Sequence, residues 1–401
     1  MFRGIIFSMW QKTKNIYHLL VAILANVFFG FPARRLTVIG VTGTDGKTTT
    51  VNLIYHILKE SGFSVSMIST TGVIIKGKKY PLGFHVTTPS SFTLQKFIAK
   101  AINKNEKENF LILEITSHAI DQNRIFGIPF YIAVLTNITN EHLDYHKTFE
   151  NYLKTKTELL KKSKISVLNK DDKSYRLIKK LLSGYKGKML TYGLSAKADF
   201  VFEEEQIATD LIGDFNKSNL MAAYSVCRTL GIPKESVKKA IGNFQLPEGR
   251  LEVVYDKKFS VVVDFAHTPN AFEQLLSSIR PNIKGRLIHV FGSAGERDKE
   301  KRSEMGKIAS QYADIIILTS EDPRSEDPTL IIEDISSGIG EKKEIYKITD
   351  RTKAIEKAVT LAKKGDLILT TGKGHEKSMN LGNGEVPWSD KKEILRILKK
   401  S

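Results

Sequence analysis

Short apolar runs alternate with segments of helical periodicity along most of the chain. A run of apolar and β-branched residues at 36–42 predicts a buried strand, and the apolar positions 51, 53, 54, 57 and 58 predict a helix shortly after it. Two further apolar runs, 110–114 and 130–138, predict a second and a third buried strand. Strands that alternate with helices are typical of an α/β architecture with a mostly parallel sheet.

The last third of the chain repeats this alternation. Its pattern predicts an open parallel sheet of the Rossmann type, which binds ligands beyond the carboxyl ends of its strands. We therefore expect functional residues in the loops that follow these strands. The predicted strands are 260–264, 286–291, 315–319 and 366–370, and the predicted helices are 271–279, 302–311 and 352–362.

The first 37 residues have a different pattern. Residues 16–31 are apolar except for His18 and Asn26, and basic residues lie on both sides of this run. A helix of that length covers about 24 Å, which is short of the ~30 Å hydrocarbon core of a bilayer. A helix packed against the next domain and a helix on the membrane surface are both open, whereas a membrane span and a secretory signal are disfavoured.

Composition narrows the class of protein. The 401 residues carry a net charge of +17, and a hydrophobic content of 41% excludes a mainly disordered chain. Because the lysines lie mostly in helical stretches and no arginine-rich arm or zinc-finger spacing occurs, we expect solvated faces or attraction of a phosphate-rich small substrate, and no nucleic-acid partner. The one cysteine, Cys227, excludes an internal disulfide and a zinc ribbon, and indicates a reducing compartment.

A glycine-rich turn separates the first predicted strand from its helix. A strand, a glycine turn and Lys-Thr at a helix start are typical of a loop that binds nucleotide phosphates, with Lys47 on the β- and γ-phosphates and the Thr48 hydroxyl on Mg²⁺. Only two residues separate the glycines, fewer than in the usual spacing, and a simple glycine turn is the alternative. The turn reads Gly43-Thr44-Asp45-Gly46-Lys47-Thr48-Thr49.

Acidic residues and histidines follow the next two strands. Glu114 ends the second predicted strand, which is a typical position for a Mg²⁺ ligand, although a charged strand end explains it equally well. Two histidines and two carboxylates within residues 140–146 could bind a metal or begin a helix. Lys156 lies in a predicted helix, and its spacing alone predicts a solvated side chain.

Several motifs in a fixed order resemble the Mur ligases, and within that family the UDP-N-acetylmuramoyl-tripeptide synthetases. The resemblance covers residues 38–398 and is much more specific than the glycine loop alone. It is carried by 43–49, Thr87-Thr88-Pro89, 114–124, Asn137, 142–146, 213–219, 247–250, 263–269, 291–299, 321–324 and 372–376.

The resemblance implies both a fold and an activity. It implies an N-terminal helical segment (1–37), a P-loop ATPase central domain with a mostly parallel sheet (38–248) and a Rossmann-like C-terminal domain (249–401). The activity implied is an ATP- and Mg²⁺-dependent ligase, which joins a diamino acid to a UDP-N-acetylmuramoyl dipeptide through an acyl phosphate in peptidoglycan synthesis. The diamino acid expected is meso-diaminopimelate, and the protein is expected to be a cytoplasmic monomer.

The resemblance also assigns roles to individual residues. Lys47, Glu114, His142 and Lys156 match catalytic positions, with Thr48 and Glu114 as ligands of one Mg²⁺ and His142 of a second. Lys156 matches a lysine that such enzymes carbamylate, which would make it an anionic metal ligand. The ATP-binding set is Gly43, Thr44, Asp45, Gly46, Lys47, Thr48, Thr49, Asn216, Asp264 and His267. The substrate-binding set is Thr87, Thr88, Thr116, Gln122, Arg124, Arg297, Glu321, Asp322, Pro323, Arg324, Gly372 and Glu376.

Two departures from the family pattern leave alternatives open. Only about 37 residues precede the central domain, where the family usually has a uridine-binding domain, so a lipid-linked muramoyl peptide is an alternative acceptor and residues 1–35 could contact the inner face of the membrane. The turn 321–324 reads Glu-Asp-Pro-Arg where Asp-Asn-Pro-Arg is typical for meso-diaminopimelate, so L-lysine is an alternative substrate. In the last two alternatives, the chain is a folylpolyglutamate-synthase-like ligase or an inactive nucleotide-binding scaffold at the membrane.

Overall fold

The computed structural model describes residues 2–83, 86–103, 109–195, 197–341 and 343–400. The described chain divides into two compact units. The first comprises Met1–Asn140, His146–Leu211 and Phe215–Gln245, and the second comprises Glu141–Tyr145, Ile212–Asp214 and Leu246–Ser401.

The first unit is built on a mostly parallel sheet. Its strands are β1 (Thr37–Thr42), β2 (Ser64–Ser69), β3 (Gly72–Ile75), β4 (Lys78–Tyr80), β5 (Asn109–Glu114), β6 (Phe130–Leu135), β7 (Ser163–Asn169), β8 (Lys188–Gly193) and β9 (Phe200–Val201). Within the described ranges their order is β4-β3-β2-β5-β1-β6-β7-β8-β9. All neighbours from β2 to β9 are parallel, and β3 and β4 form an antiparallel edge.

Helices cover both faces of this sheet. Residues 2–245 form α1 (Phe2–Phe28), α2 (Lys47–Glu60), α3 (Ser91–Ala101), α4 (Ser117–Asp121), α5 (Leu143–His146), α6 (Phe149–Lys161), α7 (Tyr175–Leu181), α8 (Phe202–Glu205), α9 (Asp214–Thr229) and α10 (Lys234–Gly242), with a 3-10 turn at Pro32–Arg35. Apolar residues of α2, α9 and α10 pack on one face, and those of α3, α4, α6 and α7 pack on the other. Because β1 and β5 are buried on both faces, their sequences are continuous apolar runs.

The second unit has its own sheet and core. Its strands are β10 (Glu252–Asp256), β11 (Ser260–Val263), β12 (Leu287–Phe291), β13 (Ile315–Leu318), β14 (Glu344–Lys347), β15 (Leu367–Thr370), β16 (Ser378–Asn380) and β17 (Glu385–Pro387). The helices of residues 246–400 are α11 (Pro269–Ile279), α12 (Glu300–Tyr312), α13 (Pro328–Ser336), α14 (Arg351–Leu361) and α15 (Asp390–Leu398). The main sheet runs β10-β11-β15-β12-β13-β14 and is parallel except for β10, while β16 and β17 form a separate hairpin.

These two sheets confirm the predicted α/β architecture, and the central predicted strands appear within a few residues of their expected bounds. Two details of the helices are not evident from the sequence pattern. Helix α9 begins at Asp214, so Asn216 lies inside the first turn of the helix and is not its N-cap. Asp, Asn and Ser occur together at 214–218, and a cluster of capping residues leaves the first turn ambiguous in sequence.

Helix α1 differs from the predicted apolar segment at both ends. It spans Phe2–Phe28, so it begins well before the apolar run and ends before Phe31. Phe31 has a left-handed backbone (φ 51°), which breaks the helix and starts the turn at Pro32–Arg35. In the described part of the chain, no helix has the length and apolar character needed to cross a membrane.

Candidate active site

The glycine loop joins the carboxyl end of β1 to the first turn of α2. Gly46 precedes the helix with φ +81°, and a Cβ on it would lie 2.1 Å from Asn219 Oδ1 of α9. A Cβ on Gly43 would lie 1.8 Å from Thr136 Oγ1. Glycine is therefore required at both positions, because the loop closes against neighbouring side chains. The turn places the positive end of the α2 dipole at the edge of the sheet, and the start of a helix favours an anionic group.

The residues after β6 hold this loop in place. Asp45 N–H donates to Asn137 Oδ1 (2.9 Å), and Asp45 O accepts from Thr136 Oγ1 (2.6 Å). Thr44 N–H donates to the backbone oxygen of Asn137 (2.9 Å). Asp45 thus belongs to the loop through its main chain, which is fixed before any ligand arrives.

Lys47 and Thr48 are the first two residues of α2 and lie beside the glycine loop. Lys47 Nζ folds back over the turn and donates to the carbonyl oxygens of Gly43 (3.0 Å) and Thr44 (2.6 Å). Thr48 Oγ1 lies 3.0 and 3.1 Å from the two carboxylate oxygens of Glu114. Thr49 is buried in the same turn. A cation and a carboxylate–hydroxyl pair therefore flank the helix start.

Glu114 is a buried carboxylate at the end of β5. It also accepts from the backbone N–H (2.9 Å) and the hydroxyl (2.8 Å) of Thr70, a residue that no sequence motif singles out. Among the described residues, no group of three or more His, Cys, Asp or Glu side chains could hold a metal by itself. One carboxylate and one hydroxyl suit Mg²⁺ nevertheless, since it keeps waters and takes phosphate oxygens as further ligands.

Lys156 is buried, contrary to the solvated position that its helical spacing predicted. It is 1% exposed, and its Nζ donates to Gly43 O at 2.6 Å. The same nitrogen lies 4.6 Å from the ring centroid of Tyr152, whose hydroxyl is 3.2 Å from Thr44 Oγ1. Helix α6 therefore directs a lysine onto the glycine loop.

A second polar cluster lies between α4 and the loop that precedes α3. Thr88 Oγ1 donates to Glu114 O (3.0 Å) and accepts from Thr116 N–H (3.2 Å). Arg124 donates to Thr88 O (2.9 Å) and, through two nitrogens, to Gln122 Oε1 (2.9 and 2.6 Å). The structure thus brings together four of the predicted substrate residues.

Thr87 and Thr116 complete this cluster. Thr87 Oγ1 accepts from Thr70 Oγ1 (3.0 Å), which links the cluster to the carboxylate of Glu114. Thr116 caps α4, because its hydroxyl accepts from Ala119 N–H (3.2 Å). Asn216 is also buried in the first unit, in the first turns of α9, the helix that carries Asn219.

Asp264, His142 and His267 belong to the second unit. Asp264 accepts from the backbone N–H groups of Leu251 (2.8 Å) and Ala266 (2.7 Å), so its carboxylate holds the chain that follows β11, and burial raises its pKa. Glu141 lies 3.8 Å from His142 Nε2 and 3.5 Å from His267 Nε2.

The loops after β13 and β15 bring three carboxylates around Lys373, which sequence reasoning missed. Lys373 is fully buried and bonds Asp322 Oδ1 (2.8 Å) and Glu376 Oε2 (2.6 Å). Glu321 is also buried, and burial raises its pKa. Its Oε2 has no hydrogen-bond partner among the described residues, and a Cβ on Gly372 would lie 2.5 Å from it. Lys373 follows Gly372 in the motif at 372–376. The motif indicates a functional loop, but it does not indicate that Lys373 pairs with Asp322 and Glu376.

Arg324 lies in a turn that is anchored on both sides. Its backbone is left-handed (φ 54°), and its Nη1 donates to Gly295 O (3.1 Å). Its own N–H donates to Asn380 O (3.1 Å) of β16, while Asn380 N–H donates to Asp322 Oδ1 (2.9 Å). Pro323, which precedes Arg324 in this turn, is buried. Arg297 is exposed in the loop after β12.

Comparison with known proteins agrees with this geometry. The Mur ligase middle domain matches residues 41–227, and the Mur ligase, glutamate ligase domain matches residues 249–374. The UDP-N-acetylmuramoyl-L-alanyl-D-glutamate--2,6-diaminopimelate ligase of Aquifex aeolicus is 42% identical over 392 residues, which make up 93% of this chain and 80% of that relative.

Solved structures show the same fold. A structure of a UDP-N-acetylmuramoyl-L-alanyl-D-glutamate--2,6-diaminopimelate ligase is 30% identical with a TM-score of 0.60, over 91% of this chain and 78% of that one. Mycobacterium tuberculosis folylpolyglutamate synthase, solved with ADP and AMPPCP, has a TM-score of 0.72 over 88% of this chain and 92% of that one, but at 16% identity it shares the fold alone. With two family models along its length and a 42% identical relative, the chain belongs to the Mur ligase family of ATP-dependent amide-bond ligases.

Proposed function

We propose that this chain uses ATP to join meso-diaminopimelate to the D-glutamate of UDP-N-acetylmuramoyl-L-alanyl-D-glutamate. The observation that carries the proposal is the 42% identity, over 93% of the chain, to a relative with that name. The polar clusters of the first unit supply the groups that phosphoryl transfer needs, because Lys47, Thr48 and Glu114 lie at one helix start.

A carboxylate is a poor electrophile, so it must be activated before an amine can attack it. The acceptor carboxylate oxygen attacks the γ-phosphorus of ATP, the bond to the β–γ bridging oxygen breaks, and ADP leaves. The amine of the diamino acid then attacks the acyl carbon and loses a proton, and the tetrahedral intermediate expels phosphate. Negative charge builds on phosphoryl oxygens, so fixed cations and donors stabilise the reaction more than acid–base groups do.

Each residue of the glycine loop has a part in this scheme. The amides of residues 43–49 and the α2 dipole hold the phosphates. When ATP binds, Lys47 Nζ gives up its hydrogen bonds to the carbonyl oxygens of Gly43 and Thr44 and donates to phosphate oxygens instead. Thr48 and Glu114 would hold Mg²⁺, with His142 proposed for a second ion; the metal supplies charge neutralisation on the phosphates. Asn216, Asp264 and His267 are proposed to contact the base and ribose, with Asp264 acting through the backbone that it fixes.

Carbamylation of Lys156 is part of the proposal. The ammonium would first lose a proton, and the neutral amine would then add to CO₂ and release a second proton. The two steps convert a cation into a carbamate anion. Its burial against Gly43 O supports a role at the loop, since an ammonium loses favourable hydration when it is removed from water.

The substrates are proposed to bind the two remaining clusters. Thr87, Thr88, Thr116, Gln122 and Arg124 would take the muramoyl dipeptide, with Arg124 as the cation for its carboxylates. Arg324 would take the second carboxylate of meso-diaminopimelate, and Arg297 and Glu376 the amino-acid end. Because Glu376 is already paired with Lys373, the diamino acid's ammonium would share that carboxylate.

A ligation assay with purified chain tests the function. We expect ADP release that requires both the UDP-linked dipeptide and meso-diaminopimelate, with a product whose mass equals the two substrates less one water. L-Lysine and a lipid-linked muramoyl peptide are run in parallel, since either could replace the expected substrate. ADP release that depends on neither substrate, or no product with any combination, would contradict the proposal.

The proposal also includes the cellular setting of the enzyme. We propose a cytoplasmic ligase whose residues 1–35 make a peripheral contact with the inner face of the membrane. The basic composition of this segment, which has five basic residues and no acidic one, supports that contact.

A further inference from the structure

Helix α1 carries large apolar side chains on its exposed side. Spacings of three and four residues place these positions on one face of the helix. Each of these side chains is 55–74% exposed, and they all lie within one stretch of thirteen residues. They are Ile16, Tyr17, Leu20, Leu24, Val27 and Phe28.

Two asparagines of the same helix face the protein instead. Asn15 Nδ2 donates to Asp121 Oδ2 (3.1 Å), and Asn26, which is fully buried, donates to Phe126 O (2.8 Å). A Cβ on Gly127 would lie 2.5 Å from Asn26 Oδ1, so the helix approaches this loop closely. In a surface helix of a globular protein the large apolar residues face the core. In α1 the fully buried positions are Ala22, Ala25 and Asn26, whereas large apolar residues are exposed.

Aromatic residues extend the apolar face beyond the end of α1. The ring centroids of Phe28 and Phe29 lie 6.2 and 6.5 Å from that of Phe92, which is 41% exposed in the first turn of α3. We call the six exposed apolar residues of α1, together with Phe29 and Phe92, the α1 face. The face combines two elements of the first unit and is contiguous, and contiguous exposed apolar patches mark interaction sites.

Charge indicates which surface the α1 face would meet. Residues 1–37 contain five basic residues and no acidic one, and Arg34 and Arg35 are exposed just beyond the aromatic end of the face. The guanidinium of Arg34 lies 4.4 Å from the ring centroid of Phe31. A second copy of this chain would bring like charges together, whereas an anionic lipid surface complements the basic rim.

We infer that the α1 face lies in the interface of an anionic lipid bilayer, parallel to its plane. The apolar side chains enter the boundary between headgroups and acyl chains, and the arginines contact lipid phosphates, as in other interfacial helices. The inference rests on the membrane contact included in the proposed function and deepens it, and it is independent of the ligase reaction. It depends on α1, Phe92 and the two exposed arginines, and on none of the residues assigned to catalysis.

Flotation with vesicles of stated composition tests the inference. We expect the full chain to bind phosphatidylcholine vesicles with a quarter of phosphatidylglycerol at least tenfold more tightly than pure phosphatidylcholine vesicles, and to be released by high salt. The double variant Leu20→Glu/Leu24→Glu should lose at least tenfold in binding. The matched control Val253→Glu/Leu330→Glu changes two equally exposed apolar residues of the second unit and should bind like the wild type.

A second variant keeps the test decisive if the first one fails to fold. Arg34→Glu/Arg35→Glu leaves the apolar residues in place and should weaken binding to anionic vesicles only. Equal binding to neutral and anionic vesicles, no binding at all, or equal loss in the second-unit control would overturn the inference. So would a dimer in light scattering that Leu20→Glu/Leu24→Glu dissociates while vesicles are not bound, since the face would then belong to a second copy.

Discussion

The amine of Lys156 lies 2.6 Å from the carbonyl oxygen of Gly43, so a buried lysine of α6 contacts the first glycine of the loop between β1 and α2. Removing an ammonium from water is costly, and lysine is rarely fully buried unless it is paired. The contact ties the helix that follows the α5 turn to the loop proposed to hold the phosphates. Its consequences can be measured in several ways.

Replacement of Lys156 by alanine should reduce ligase turnover at least a hundredfold. If the active form is a carbamate, added acetate should restore part of the activity, because a small carboxylate can occupy the space that the side chain leaves. Lys154→Ala is the matched control: Lys154 is an exposed lysine of the same helix, paired with Glu150 at 3.0 Å, and its loss should leave turnover unchanged. Wild-type turnover in Lys156→Ala would remove this residue from the mechanism.

Replacement of Lys47 by alanine should abolish ligation, because the transferring phosphoryl group loses a preorganised cation. Loss of one such donor typically costs about 3–4 kcal/mol in the transition state, which is a factor of a few hundred in kcat. Steady-state ADP release measures the effect. Lys59→Ala, at the exposed last turn of the same helix, should behave like the wild type. Turnover of Lys47→Ala within tenfold of the wild type would speak against the proposed role.

Alanine variants of Gly46 and Gly62 distinguish the cost of a strained backbone from the effect of a side chain that the closed loop cannot hold. Both have left-handed backbones (φ +81° and +85°), but a Cβ on Gly62 meets open space while one on Gly46 meets Asn219. Each alanine variant should lose about 1 kcal/mol of unfolding free energy from the backbone alone. Only Gly46→Ala should also lose ATP affinity, as measured by calorimetry. Equal ATP affinities in the two variants would show that the contact with Asn219 does not matter.

Arg324 should select the diamino acid. Its guanidinium can present two parallel N–H donors to the carboxylate that distinguishes meso-diaminopimelate from lysine. Arg324→Ala should lower kcat/KM for meso-diaminopimelate at least tenfold, since a charge-assisted hydrogen bond is worth about 1.5–3 kcal/mol. The KM for ATP and the activity with L-lysine should hardly change.

Two variants sharpen the Arg324 experiment. Arg324→Lys keeps the charge but not the paired donors, and should recover only part of the loss. Arg396→Ala, an exposed arginine of α15, is the control for the loss of a positive charge. An equal loss with both amino acids would make Arg324 a structural residue of its turn.

Glu326 should give the second unit a measurable pH dependence of stability. A hydrogen bond from the buried Arg302 (3.0 Å), with support from the backbone N–H of Glu296, lowers the pKa of Glu326 to about 2. The unfolded chain keeps the ordinary value, so this stabilisation is complete above about pH 5 and declines as the pH falls toward 2.

Glu326→Gln should therefore be less stable at neutral pH by about 2 kcal/mol and show a flatter stability profile in acid. Urea unfolding between pH 2.5 and 7 provides the measurement. Glu333→Gln serves as control, because Glu333 is more than half exposed and pairs with an exposed lysine. Parallel profiles for the wild type and Glu326→Gln would refute the assignment.

The sequence predicted the parts of the fold whose local and tertiary signals agree. Strands β1 and β5 are buried on both faces, and α2 begins at a glycine loop, so pattern and structure coincide. The interpretation of Lys156 as a solvated residue is wrong. Lysine is rarely buried, but this one lies one turn after Tyr152 on the apolar face of α6. That spacing was the signal that could have located it.

Other site residues left no local trace in the sequence. Thr70 is one of several serines and threonines after β2, and only the pairing of β2 with β5 brings it to Glu114. Lys373 is recognisable as buried only once the loops after β13 and β15 are side by side. Such contacts depend on strand order, which motif spacing does not encode.

The hydrogen bonds between Asn380 and the turn at Asp322–Arg324 have a consequence for protein engineering. The hairpin of β16 and β17 and the turn that carries Arg324 are distant in sequence but share a backbone interface, and a Cβ on Gly382 would lie 2.6 Å from Arg324 O. If the turn at 321–324 were replaced by that of a lysine-adding relative, its backbone would no longer match the hairpin that contacts it. Amino-acid preference should be exchangeable between relatives only when both segments are moved together as one cassette.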